Sequence, residues 1–230
     1  MNMRPLDVRR LGTVPYADAL QLQRALVEER RADRVHDLLL LLQHPPVITV
    51  GVKGDGGRSN IVATAERLGE LGIDVSETGR GGDVTYHGPG QIVGYPIVDL
   101  KPDRCDVHRY VRDLEEMMIR VCGDYGVSAG RIPGLTGTWV GDATIGAIGV
   151  RISRWITCHG FAFNVATDLR HFQLIVPCGI AEHGVTSLEQ AAGKPIPIED
   201  AEQRIVARFA EVFEREVIAA PHDGVPYAPP

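Results

Sequence analysis

The chain has 230 residues, 44% of them hydrophobic and 23% charged, with a formal net charge of −6. That length accommodates a single domain with a true core, while the negative balance excludes general attraction to nucleic acid and leaves any acidic partner to a local arginine patch. Cys105, Cys122, Cys158 and Cys178 show no CxxC or metal-ligand spacing, MNMRPLDVRR carries no apolar signal region, and the run Leu38 to Leu42 is too short to span a bilayer, so the reading is a cytoplasmic protein with free thiols, no metal and no membrane association.

In chain order, Ala19, Leu22 and Leu26 share a face of a helix from Tyr16 to Arg31, with Glu28, Glu29, Arg30 and Arg31 polar. Leu38 to Leu42 follows as a buried strand, and Val47 to Val50 forms a second after the Pro45-Pro46 turn. Gly51 to Asn60, GVKGDGGRSN, is a glycine-rich loop, read either as a simple surface connection or as a substrate lid. Asp106 caps a helix reaching Tyr125, whose inner side places Cys122 in the core. Thr138 to Val140, Ile145 to Ile152 and Trp155 to Val165 are three consecutive strands, separated at Gly141-Asp142 and Ser153-Arg154, and make a meander. A last helix runs from Glu199 to Val217 before the proline-containing tail PHDGVPYAPP. Together these predict one α+β domain over residues 1–217 with an irregular tail at 218–230, and a mixed, mostly antiparallel sheet flanked by helices.

Two segments carry the candidate chemistry. Arg80 to Gln91, RGGDVTYHGPGQ, has four glycines in twelve residues, which let main chain approach a ligand closely while Tyr86 and His87 add polar reach. Far downstream, IVPCGI sets Cys178 between Pro177 and Gly179, where the backbone turns and an acyl group has room to approach; the alternative is an inert thiol. Small residues in Ala147-Ile148-Gly149 and His159-Gly160-Phe161-Ala162 on adjacent strands open a slot for a linear chain, or else merely pack closely. Arg151 with Arg154, and Arg104 with Arg109 and Arg112, are either docking patches or solvated faces.

Taken together, RGGDVTYHGPGQIVGYPI, AIGVRI, HGFAFNV and IVPCGI followed by VTSL closely resemble the bacterial lipoyl(octanoyl) transferases, in the same order and with similar spacing from about Leu11 to Phe213. The resemblance implies the catalytic-domain fold of lipoate and biotin protein ligases and a two-step acyl transfer without a cofactor. Octanoate would pass from acyl carrier protein to Cys178, then to a lysine of the lipoyl domains of 2-oxoacid dehydrogenases and of the glycine cleavage H protein. Substrate contacts would fall on Arg80, Gly81, Gly82, Asp83, Val84, Thr85, Tyr86 and His87, on Ala147, Ile148 and Gly149, and on Gly160, Phe161 and Ala162.

One position departs from the pattern. Where the family carries a catalytic lysine before the apolar strand, this sequence has Thr144, and no lysine occurs between Lys101 and Lys194. Threonine supplies neither charge nor a titrating group. The open readings are a histidine substitute (His87, His159 or His183), an engineered substitution, or a weakened acyl-binding relative. A thiol-dependent thioesterase using Cys178 is a further alternative.

Overall fold

The computed structural model describes residues 3–52, 58–102, 104–176 and 183–218. Among them an eight-stranded mixed sheet and a three-stranded sheet are formed. In chain order the elements are β1 (Arg4–Thr13), α1 (Tyr16–Arg31), β2 (Asp37–Gln43), β3 (Val47–Val50), α2 (Ala65–Glu70), β4 (Asp74–Glu77), β5 (Val84–His87), β6 (Gln91–Ile97) and α3 (Val107–Asp124). They continue as β7 (Thr138–Val140), β8 (Ala143–Ser153), β9 (Ile156–Asn164), β10 (Gly184–Val185), α4 (Leu188–Ala192), α5 (Ile198–Phe213) and β11 (Arg215–Ile218).

The large sheet runs β10-β8-β9-β6-β2-β1-β11, with β7 also on β8. β7, β8 and β9 pair antiparallel in succession, as the meander requires, and the antiparallel pairing extends through β6 to β2. β1 is parallel to both β2 and β11, and β10 is parallel to β8. The small sheet is β4-β3-β5.

The uninterrupted leucines of β2 are explained by cover on both faces of the sheet. Leu39 and Leu41 join the core formed with α3 and α5, while Leu38, Leu40 and Leu42 join the core with α1, whose Ala19, Leu26 and Val27 are buried. Asp106 caps α3 by accepting from Arg109 N at 3.0 Å, and Cys122 is fully buried. A third, smaller core gathers Ile48, Leu68, Ile73, Val84, Tyr86 and Ile175 under the small sheet.

The last helix departs from expectation. It stops at Phe213, Glu214 turns the chain with φ 53°, and Arg215–Ile218 becomes a strand beside Arg4–Asp7. The side chain of Asp37 secures that junction from inside: it accepts from Arg30 Nε at 2.9 Å, Arg215 Nε at 2.9 Å and Asp99 N at 3.0 Å. An ion cluster so deeply buried holds only because every partner is present.

Candidate active site

A cavity of about 120 Å³ opens where the small sheet meets the large one. Its long wall is the β8–β9 ladder, in which Ala147 lies opposite Ala162, Ile148 opposite Phe161 and Gly149 opposite Gly160. Small residues facing one another leave the slot open, and Val93 adds to its apolar surface. The opposing wall is the loop and strand from Arg80 to His87. A Cβ on Gly149 would meet Arg80 Cδ and Gly81 O, each at 3.0 Å, so glycine there lets this segment seat against β8. Gly81 N donates to Val150 O at 3.1 Å and fixes the same contact.

The polar groups of the wall form a directed chain. Arg80 Nη2 donates to Thr49 O at 2.8 Å and to Thr49 Oγ1 at 2.9 Å, which leaves the threonine hydroxyl proton for His87 Nε2 at 3.3 Å. His87 Nδ1 in turn donates to Gln91 Oε1 at 2.7 Å, Gln91 Nε2 to Asn164 Oδ1 at 2.9 Å, and Asn164 Nδ2 to Thr186 O at 3.1 Å. The Gln91 carboxamide oxygen can only accept and the Thr49 hydroxyl is left to donate, so His87 is held as the neutral Nδ1–H tautomer. Burial, reinforced by His44, pushes its pKa down to about 3. Behind it, His44 Nδ1 donates to Val14 O at 2.7 Å, its Nε2 accepts from Tyr95 Oη at 2.8 Å, and burial lowers it to about 4.

His159 occupies a left-handed backbone position, φ 55°, within β9, and its amide donates to Gln23 Oε1 at 2.8 Å. Its Nδ1 is buried without a partner, and burial followed by Arg80 and Arg151 lowers its pKa to about 4. Strain of this kind concentrates at functional sites. At the far end of β8, Thr144 lies between Trp139 of β7 and Val185 of β10. Its Oγ1 reaches only backbone carbonyls, Gly146 O at 3.4 Å and Thr138 O at 3.5 Å.

The cavity gathers most of the residues singled out from sequence: Arg80, Gly82, Asp83, Val84, Thr85, His87, Thr144, Ala147, Ile148, Gly149, Gly160, Phe161 and Ala162. Tyr86 is placed elsewhere, packed in the small core with its hydroxyl on His171 Nδ1 at 2.8 Å, and Gly81 contributes through its backbone. Cys178 lies outside the described residues. Gln91, Asn164, Trp139 and Tyr95 also line the cavity, beyond what the sequence predicts; Gln91, Tyr95 and Asn164 do lie inside the motif strings, but the link from Gln91 to Asn164 spans 73 positions. No group of three potential metal ligands occurs among the described residues, and no described helix is long and apolar enough to cross a membrane.

The sequence profile of the lipoyl protein ligase A/B catalytic domain matches residues 15–210. An octanoyltransferase of Rubrobacter xylanophilus is 54% identical over 210 residues, covering 90% of this chain and 94% of that protein. The chain belongs to the octanoyltransferases. An octanoyltransferase of Myxococcus xanthus is 51% identical over 95% of the chain, which spans 62% of that longer protein. The fold agrees as well: the bipartite lipoate protein ligase of Thermoplasma acidophilum superimposes with a TM-score of 0.70 at 15% identity, over 95% of this chain and 88% of that one. Membership makes the protein an acyl-transferring enzyme of lipoate biosynthesis.

Proposed function

We propose that the chain takes an octanoyl group from acyl carrier protein onto the thiol of Cys178 and passes it to a lysine of a lipoyl domain, in 2-oxoacid dehydrogenases and in the glycine cleavage H protein. The observation that carries this is the slot between Ala147, Gly149, Gly160 and Ala162, apolar along its length and bordered by polar groups kept uncharged or internally paired. Burying six methylenes there supplies roughly 5 kcal/mol at ~0.8 kcal/mol each, enough to favour an octanoyl over a short acyl chain. The neutral state of His87 avoids a second cation beside Arg80 in the slot wall. Arg151 and Arg154, exposed and without an ion pair to any described residue, supply positive charge for an acidic carrier domain.

Substrate contacts in this reading are made by Arg80 to His87, with Tyr86 acting from the supporting core, and by the two β8–β9 triplets. Thr144 supplies no titrating group, so the acid–base work falls to another residue. Intact-mass measurement after incubation with octanoyl-acyl carrier protein tests the scheme. An octanoyl adduct that disappears in Cys178→Ser is expected; no adduct on the unaltered chain, or one that survives the substitution, refutes it.

A further inference from the structure

Acyl transfer from a thioester to an amine leaves one proton too many on the new amide nitrogen and one too few on the departing sulfur. Some group at the cavity must carry it between them. Among the described lining residues the carboxylate is that of Asp83, whose Oδ1 accepts from Val84 N at 2.7 Å and Oδ2 from Asn60 Nδ2 at 2.8 Å. Three imidazoles of described residues line the cavity: His87, His159 and His183. His87 has both ring nitrogens committed to the directed chain. His159 pairs with Val150 of β8, six residues from Thr144, or about 20 Å along an extended strand, and its lowered pKa makes it a poor proton acceptor near neutrality.

His183 differs from both. It immediately precedes β10, whose Val185 pairs with Thr144. Its Nδ1 is buried without a partner, and no described residue bonds its Nε2. Its ring meets Trp139 edge to face, centroids 5.2 Å apart and planes at 66°. Trp139 Nε1 is likewise buried and unbonded. Unsatisfied polar groups in contact at a cavity wall are unusual in a settled core and fit a place where a polar group arrives with substrate.

We propose that His183, through Nε2, is the acid–base residue of the transfer, an inference that rests on the thioester scheme above. The neutral amine of the acceptor lysine forms its bond to the acyl carbon and the carbon–sulfur bond breaks. The surplus proton on nitrogen passes to His183 Nε2 and from there to the thiolate, so that no proton is gained or lost overall.

The test is single-turnover transfer from the isolated acyl-enzyme to a free lipoyl domain, followed by intact mass from about pH 6 to about pH 9. The variants are His183→Ala, His183→Gln, and His183→Gln combined with Thr144→Lys. Both single variants are expected to slow transfer roughly 10²- to 10⁴-fold and to lose the acidic limb of the pH–rate profile, with thermal midpoints unchanged. The amine that Thr144→Lys introduces on the adjoining strand is expected to restore at least about tenfold. A His183→Gln protein that transfers within about threefold of the unaltered chain, or one that is slowed while keeping the parent's pH profile, overturns the assignment. Failure of the unaltered chain to form the Cys178 adduct instead brings down the thioester scheme, and this inference with it.

Discussion

The three buried histidines around the cavity tie the stability of the fold to pH. His44 and His159 sit at about 4 and His87 at about 3, each lowered chiefly by burial from an ordinary 6.5. Below pH 6.5 the unfolded chain takes up protons that the folded chain refuses. Stability is therefore intact above that pH and lost as pH falls toward 4, and toward 3 for His87. Between pH 7 and pH 5 each ring accounts for about 2 kcal/mol, and the three together for about 5–6 kcal/mol. That is a large share of the roughly 5–15 kcal/mol that holds a typical domain. Carboxylates depressed by arginine hydrogen bonds, such as Asp124 with Arg208 and Glu116 with Arg120, act at lower pH, while Glu202, raised by burial, works in the opposite sense. Urea titration at the two pH values and fixed ionic strength measures the effect. With a slope of about 2.5 kcal/mol/M the midpoint should fall by about 2 M at pH 5, and His44→Gln should remove about a third of the difference. Midpoints agreeing within about 0.3 M would show that these rings are not held neutral by burial.

Two further substitutions probe the slot and the frame. Gly94→Ala would drive a Cβ into the Phe161 ring, so the ring must move; a cost of about 1–3 kcal/mol is expected, with octanoyl transfer falling more than hexanoyl transfer, and an unchanged ratio of the two rates would show that Phe161 does not limit chain length. Asp37→Ala strands Arg30 and Arg215 in the interior and should destabilise the protein by about 3–5 kcal/mol in chemical denaturation, whereas a loss under about 1 kcal/mol would mean that the arginines find other partners.

Much of the frame is legible because burial writes itself into spacing. The α1 stripe, the doubly covered leucines of β2, the Asp106 cap and the β7–β9 meander each depend on neighbours within a few residues. β1 is not, because RPLDVRRLGT intersperses charge with its buried Leu6 and Val8 and lies between two parallel partners distant in sequence. β11 reads as part of the final helix because apolar residues at Ile205, Phe209 and Phe213 continue a helical period that only the backbone of Glu214 interrupts. At the cavity, the small residues of β8 and β9 are readable as a slot since register follows from a short turn. The order of donors from Arg80 to Thr186 is not, because every link except His87 to Gln91 joins segments 22 or more positions apart. Nor does anything local distinguish His183 from His87; their difference lies in which ring nitrogens are already spoken for.

The parallel seat of β11 beside β1 also sets the order of events during synthesis. Arg4 to Asp7 find their outer partner only after Arg215 to Ile218 have emerged, so the longer β1 itself forms the edge of the large sheet while nearly all the rest of the domain is already present. Until then Asp37 lacks Arg215, and the nascent chain carries both an interior anion short of one of its partners and a strand edge able to recruit a neighbouring molecule. Ribosome-bound chains that end before residue 215 should for that reason be the aggregation-prone form of this protein.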